Sequence, residues 1–473
     1  MKVVLQKFGA PACAALLAFT FGCSNASAGP KYDDPVLTLG STPDVVAKGT
    51  EADAYSLTVM AYTWGYPLVR MERVMREYTE VESPRPPTSY RAPLNQMGWA
   101  SQLATPAATD MPTANNDTLY TSTVLGLDQP YVLTVPDTHD RYYVIDVFNM
   151  WQELEHYIGR RTTGTKAGKY VLVPPGWKGA LPKDAKRLDV TTSMVWLWGR
   201  IQVKEGEDPK PVQALTQQFS VKPLNGKASA TKTLAPLPDI QGNEFGLFTQ
   251  LAAALKENPV RVQDKGLFGQ FARIGLTEKG FDPSKLDEAT LRGMRRGMQD
   301  APSVAVASVI GTSQVRNGWN WVTGMDSFGY NYPLRAAVAG PYLGGQGEHE
   351  AMYPIRYTDS KGQNLSGDKK YTLRFPSDPP VNAFWSLTVY NADDKMLIDN
   401  PINRFKYGSS TKGLVREKDG SFTLTLQHDK PDNTSNWVPT PAGGFYLILR
   451  LYQPTGALLQ GQWPLPQVEA VQQ

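Results

Sequence analysis

Residues 141–151 read RYYVIDVFNMW. As a strand, with side chains alternating between two faces, the stretch puts Arg141, Tyr143, Ile145, Val147 and Asn149 on one side. Tyr142, Val144, Asp146 and Phe148 fall on the other. β-branched and aromatic residues dominate, and a THD turn precedes them, so the strand reading holds. Asp146 then sits on a largely apolar face, where a carboxylate must find a partner or shift its pKa, and pairing with an arginine is the commoner outcome.

Runs of the same kind surround it: LYTSTVLGL (119–127), YVLTVP (131–136), KYVLVPP (169–175) and MVWLWGRIQV (194–203), divided by Gly, Pro and Asp turns. Short strands at roughly even spacing indicate a β-sandwich. Upstream, apolar residues recur at helical spacing from Ala54 to Val74. Downstream, KPVQALTQQF, EFGLFTQLAAALKEN, GLFGQFARIGL and KLDEATLRGMRRGMQDA carry the 3.6-residue period of helices. Strand patterns return in YTLRF, FWSLTVYN, FTLTLQH and FYLILRLYQ. The expected architecture is an α+β multidomain chain: a helix plus β-sandwich over 51–207, a helical segment over 208–340 and a second β domain over 341–473.

Composition narrows the function. The chain has 473 residues, and 48 basic against 45 acidic side chains give a formal charge of +3, too weak a field to favour nucleic acid. The N-terminus is of bacterial export type: MKVVLQK is basic, APACAALLAFTF is apolar but too short to span a membrane, and ASA at 26–28 is a cleavage pattern. The expected products are a signal peptide over 1–28, an irregular leader over 29–50 and a periplasmic protein. A competing pattern, TFGCS, makes Cys23 a lipid-anchored first residue; bulky Phe21, and Thr20 where Leu is usual, favour cleavage before Gly29. The only cysteines are Cys13 and Cys23, so the mature body has neither disulfide nor thiol chemistry.

The four histidines, at 139, 156, 349 and 428, show no metal-ligand spacing, and GxSxG, GxxxxGK[ST] and GxGxxG are absent. No cofactor or metal is expected. What remains are polar clusters at strand ends. NNDTLY (115–120) is first a turn entering a strand, with Asn116, Asp117 and Tyr120 available to a ligand. QELEH (152–156) gathers Glu153, Glu155 and His156, the best acid–base candidates in the chain. NPINRFKYG (400–408) and SNWVPTPAGGF (435–445) offer Asn403, Arg404 for an anion and Trp437 for stacking.

The ordered motifs YTWGYPL, NNDTLY, PDTHDRYY, IGRRTTGT, PPGWKG, FWSLTVYNADD, NPINRF, DGSFTLTLQHDKP, NWVPTPAGGFYLILRLYQP and GQWPLP resemble bacterial exported proteins made of two domains of unknown function, numbered 1254 and 1214. The resemblance covers residues 53 to 467. It implies an immunoglobulin-like sandwich, a helical segment and a C-terminal jelly-roll-like sandwich, and it assigns no activity. Asn116, Asp117, Thr118, Tyr120, Arg141, Tyr142, Gly159 and Arg161–Gly164 fall on its first-domain motifs; Asn400, Pro401, Asn403, Arg404, Asn436, Trp437 and Pro439 fall on those of the second. Relatives tend to read D-A-W-T-N-V-F-A where this chain has NMWQELEH, so its acid–base cluster is its own.

Together these features point to a small polar or aromatic organic ligand held in a cleft between the β domains, acted on by a hydrolase or lyase or simply bound. The alternative is a non-catalytic envelope protein for carbohydrate recognition or homo-oligomeric assembly. Asp117, Arg141 and His156 are expected to converge, with Arg161 or Arg404 neutralising a negative group and His156 with Glu153 handling protons.

Overall fold

A computed structural model describes residues 36, 39–85, 89–108, 112–227, 229 and 233–471. The expected signal peptide, both cysteines and residues 29–35, 37 and 38 of the leader lie outside them; the end of the leader, read as irregular, is helical from Pro43. Among the described residues are α1 (Pro43–Thr79), α2 (Lys210–Thr216), α3 (Gly246–Ala254), α4 (Lys265–Gln270), α5 (Glu288–Thr312), α6 (Tyr332–Ala339) and α7 (Gly456–Leu459). The first half contributes β1 (Thr118–Gly126), β2 (Tyr131–Val135), β3 (Tyr143–Asn149), β4 (Leu154–Gly159), β5 (Gly168–Val173), β6 (Ala185–Asp189), β7 (Met194–Gln202) and β8 (Ser220–Pro223). They form two four-stranded sheets, β1-β7-β3-β4 and β6-β5-β2-β8. Leu133, Tyr143, Ile145, Val147, Leu172 and Leu197 share one core between them.

Every residue of β3 is buried, because both faces of its sheet are covered. Tyr143, Ile145 and Val147 point into the sandwich. On the outer face, Phe148 joins Trp196, Trp198 and the helices, whose Trp64, Leu68, Phe248 and Phe271 form the adjoining core. Tyr142 and Val144 meet Ala351, Phe384 and Tyr452 of the C-terminal half. Asp146 lies between these two patches, where sandwich, helices and C-terminal half come together.

A two-residue ladder, β9 (Leu276–Thr277) with β10 (Gly280–Phe281), lies among the helices. The C-terminal half contains β11 (Ser313–Arg316), β12 (Trp319–Val322), β13 (Ala351–Met352), β14 (Ile355–Arg356), β15 (Tyr371–Phe375), β16 (Trp385–Asn391), β17 (Lys406–Gly408), β18 (Phe422–Gln427), β19 (Trp437–Pro439), β20 (Phe445–Tyr452) and β21 (Val468–Ala470). A seven-stranded sheet runs β11-β12-β14-β20-β16-β17, with β13 also on β20, and a four-stranded sheet runs β19-β18-β15-β21. Leu373, Leu387, Leu424, Leu447 and Leu449 fill the core between them. Residues 49–473 form one compact unit. The stretch read as helical also supplies β8 to the first sandwich and the β11–β12 hairpin to the second. Both are short and lack a long alternating pattern, which is what strand recognition requires. The chain is thus α+β, with mixed and antiparallel sheets, none closed into a barrel. No helix among the described residues is long and apolar enough to cross a membrane.

Candidate functional site

The outer faces of the two large sheets meet across a polar surface. In NNDTLY the Asn115 side chain accepts from the Asp117 backbone N–H at 2.6 Å, the expected Asx turn. Its amide nitrogen donates to the hydroxyls of Tyr452 (2.6 Å) and Tyr120 (3.2 Å). The turn frees the Asp117 carboxylate to cross to the other half, where Oδ1 pairs with the Lys406 ammonium at 2.7 Å and Oδ2 accepts from the Ser386 hydroxyl. Lys406 also donates to the Asn116 carbonyl at 2.7 Å, and the Asn116 amide donates to Ala104 O at 2.5 Å. Strand alternation places Ser386, Thr388, Lys406 and Arg450 on the face of their sheet opposite Leu387, Tyr407 and Leu449, which point into the C-terminal core.

Asp146 is fully buried. Gln346 donates to both its oxygens at 3.0 and 2.8 Å, and Arg200 approaches at 3.4 Å. Burial pushes its pKa up to about 7 against the opposing charge of Arg200. Tyr157 lies opposite it on β4 and donates to Asp326 at 2.8 Å while accepting from Gly347 N–H at 2.9 Å. Burial, and then the charges of Asp146 and Asp326, hold that phenol well above its ordinary range. Glu350 accepts from the Tyr142 hydroxyl (2.9 Å) and from Arg161 Nε (2.6 Å), and Arg161 covers the Tyr157 ring at 4.8 Å.

This surface opens at one end into a cleft of about 660 Å³. Residues 138–142, Arg160, Gln202 and Lys204 line it from the first half, and Asn382, Ala383, Phe384, Ser409 and Ser410 from the second. Arg141 holds Glu207 through both nitrogens (2.7 and 3.0 Å). Arg160 bridges the halves, donating to Asp140 (3.0 Å), the Asn382 carbonyl (2.9 Å) and Gln453 (3.0 Å). His139 and Asp140 are consecutive non-glycine residues in left-handed conformation, φ 51° and 62°. Such strain persists where surrounding structure enforces it, and it clusters at ligand sites. Three cationic side chains, Arg141, Arg160 and Lys204, meet two carboxylates, Glu207 held by Arg141 and Asp140 held by Arg160. Phe384, stacked on Tyr452 at 4.2 Å, supplies the apolar wall.

The expected convergence of Asp117, Arg141 and His156 does not occur. Asp117 is locked into the joint, and Arg141 lines the cleft. His156 faces the other way: it lies opposite Val147 and its Nε2 is 2.7 Å from the Asp189 carbonyl on β6. Its neighbour Glu153 is held by Arg261 and, at 3.4 Å, by Arg335, so the two do not form a proton-transfer pair. Glu153 and Glu155 do share a second cavity of about 460 Å³ with Asp326, Arg261 and Tyr330, and the Asn149 amide nitrogen donates to both, at 3.3 and 2.9 Å. Tyr120 stacks on Trp198 at 4.8 Å, beneath Arg200. Arg161 reaches Glu350 at the joint. Arg404 is folded onto Tyr407 and the Thr434 carbonyl (2.9 Å), so it does not reach the cleft. Asn403 takes a left-handed conformation (φ 47°) in the Asn400 turn. Trp437, expected as a stacking face, is only 1% exposed and donates to the Gln427 carbonyl at 2.9 Å, so it offers no open ring to a ligand.

Sequence reasoning passed over Arg200, Arg450, Lys406, Gln346 and Glu350. A signal existed for the two arginines: each interrupts an apolar strand, MVWLWGRIQV or FYLILRLYQ, where a charge needs a partner. Among the described residues no group of three or more His, Cys, Asp or Glu side chains is placed to hold a metal ion.

Two β-sandwiches joined by a polar seam, with a helical layer beside them, define the class. Protein-family models place the protein of unknown function DUF1254 at residues 94–223 and the protein of unknown function DUF1214 at 350–456, so the chain carries both domains in the order the motifs indicated. Among solved structures, the VPA0106 protein from Vibrio parahaemolyticus is similar at 25% identity, with a TM-score of 0.70, over 89% of this chain and all of that one. An uncharacterised protein from Burkholderia cenocepacia aligns at 13% identity with a TM-score of 0.44, over 90% of this chain and 96% of that one. No curated protein matches the chain.

Proposed function

We propose that this is an exported, periplasmic protein that binds a small organic anion with an aromatic or other apolar part in the cleft between its two halves. The observation that carries the proposal is the cleft's wall: Arg141, Arg160 and Lys204 exceed by one the two carboxylates they meet, Asp140 and Glu207, and Phe384 lies beside them. A cavity of this size, with a few convergent polar groups and an aromatic wall, is the usual form of a small-molecule site. Arginines suit a carboxylate, whose oxygens accept two parallel N–H bonds. In the same reading the first sandwich is immunoglobulin-like and the second jelly-roll-like.

The test is a thermal-shift panel of benzoate, phthalate and gluconate, with benzyl alcohol as neutral control. A ligand at a hundred times its Kd adds about 2.7 kcal/mol to the folded state. Arg160→Ala removes a charge-assisted bond worth about 1.5–3 kcal/mol, a loss of roughly 10-fold to 100-fold in affinity. No shift with any of the acids, or equal affinity in the Arg160→Ala variant, rejects the proposal.

A hydrolase or lyase activity is the second reading, and the cavity that gathers Glu153 and Glu155 favours it. Turnover that survives Glu155→Gln would exclude that cavity as its seat.

A further inference from the structure

The PPGWKG motif (174–179) lines neither cavity and opens the loop between β5 and β6. Gly176 takes a left-handed φ of 79°, and the Trp177 N–H donates to the Pro174 carbonyl at 3.3 Å, closing a turn. Arg187 of β6 ties this turn to the sheet: its guanidinium lies 5.9 Å from the Trp177 ring centre and donates to the Trp177 carbonyl at 3.5 Å. Beyond the turn the loop presents an apolar tip, Ala180, Leu181 and Pro182, set between Lys178 and Lys183. Ala180, Pro182 and both lysines are exposed, and Trp177 and Leu181 are half-buried.

Charge is uneven around this tip. From Gly168 to Val190 the chain carries Lys169, Lys178, Lys183, Lys186 and Arg187 against Asp184 and Asp189. Both carboxylates are taken by cations of the strands, Asp184 by Lys169 and Asp189 by Arg187, each at 2.7 Å. Lys178, Lys183 and Lys186 are left without an ion pair among the described residues. Across the same sheet, exposed Lys222 of β8 shares the outward face with Lys169 and Arg187, opposite the face on which Leu133 and Leu172 meet the core.

We propose that the 174–183 loop, with Lys186 and Lys222 beside it, docks the protein on the surface of a bilayer that carries anionic phospholipid. Headgroup phosphates meet the free ammonium groups, and the apolar tip enters the boundary with the acyl chains, a zone that indole rings such as that of Trp177 also favour. The tip decides between partners. A polynucleotide would be drawn by the same lysines, because its phosphates dominate such binding, but it gains little from Ala180, Leu181 and Pro182. A charged bilayer surface is complementary to both features at once. None of these residues lines the cleft, so docking leaves it open to a ligand.

Co-sedimentation of the full chain with phosphatidylethanolamine–phosphatidylglycerol vesicles, beside phosphatidylcholine vesicles, provides the test. Wild type should pellet with the anionic vesicles only, and less so as salt rises. Lys178→Ala combined with Lys183→Ala should weaken binding on the order of 25-fold, about fivefold for each charge, with an unchanged melting temperature. Leu181→Ser should weaken it severalfold and leave its salt dependence as it was. Lys279→Ala, which removes an exposed charge from the turn between β9 and β10, should leave binding unchanged. Wild type that stays in the supernatant, or that binds both kinds of vesicle equally, overturns the proposal. So does a paired lysine variant that binds as wild type, or a Lys279→Ala loss as large as that of a loop lysine. A Leu181→Ser variant that binds as wild type overturns it as well, and retention of that variant on heparin would assign the lysines to a soluble polyanion instead.

Discussion

Lys406→Met tests whether NNDTLY is a structural joint. The Lys406 and Asp117 side chains are 6% and 5% exposed, and their charged atoms are 2.7 Å apart. Removing the ammonium leaves the Asp117 carboxylate with the Ser386 hydroxyl and only the unbonded charge of Arg450. Breaking a buried pair from one side costs about 3–5 kcal/mol. Removing both charges, as in Lys406→Met with Asp117→Leu, avoids the stranded carboxylate. What remains is the Asn116 carbonyl without its donor, a cost of about 1–3 kcal/mol. The double variant should therefore be more stable than the Lys406→Met single. Equilibrium urea unfolding followed by tryptophan fluorescence measures wild type, Lys406→Met, Asp117→Leu and the double variant. Lys169→Met, which breaks the exposed pair with Asp184, serves as control and should leave the midpoint unchanged. A Lys406→Met cost below about 1 kcal/mol would show that water reaches the pair, contrary to a closed joint. A double variant as unstable as the sum of the two singles would show that the residues act separately.

Three further outcomes follow from the geometry. The folded pKa of Asp146, about 7, lies above its ordinary value of 3.8, so between these limits the folded state holds a proton that the unfolded state releases. Stability from this group is therefore greatest near pH 4 and falls as pH rises to 7; Asp146→Asn should flatten that slope in urea titrations, and an unchanged slope would contradict the assignment. At Gly159 an added Cβ would lie 2.4 Å from the Tyr143 carbonyl and 2.8 Å from Val144 Cα, so Gly159→Ala should cost about 1–3 kcal/mol in the same assay. His156→Ala removes one hydrogen bond to Asp189 and should cost about 1 kcal/mol while leaving acid binding in the cleft untouched, as the thermal-shift panel can check.

Most strands that were legible in sequence are at the centres of sheets; β1 is an edge strand, legible because eight of its nine residues continue an unbroken strand pattern from Leu119. β3, β7, β16 and β20 are buried and read as apolar runs, and each is found where its pattern places it. The ones missed are mostly at edges or very short. β4, with sequence LEHYIG, and β6, with AKRLD, end their sheets and carry charges on partly exposed positions, so hydrophobic alternation fades. For the site, the turn at Asn115 was legible because it is local. Lys406, the partner that gives Asp117 its role, lies far along the chain, and no local pattern links the two. His156 and Glu153 were read as one cluster because they are close in sequence. The register shift between Val147 and Phe148, with the tight turn at Asn149, instead sends Glu153 toward Arg261 and His156 toward β6.

The seam between the halves is built largely of charges and hydroxyls, and this bears on how the cleft could work. An apolar seam would hold its halves together wherever area is buried, with little directional preference. Here Asp117, Asp146 and Glu350 each require particular donors at hydrogen-bond distance, so the relative placement of the sheets is tightly specified. Tyr142 belongs to both structures: its ring lines the cleft, and its hydroxyl donates to Glu350, which also holds Arg161. Arg160 likewise lines the cleft while tying Asp140 of the first half to Asn382 and Gln453 of the second. A ligand that draws Arg160 toward itself must weaken one of those ties, whereas one that accepts from its remaining N–H groups strengthens the bridge. Binding strength and the stability of the seam are therefore coupled through this one side chain, and Arg160→Lys, which keeps the charge but loses the planar fork, should lower both together.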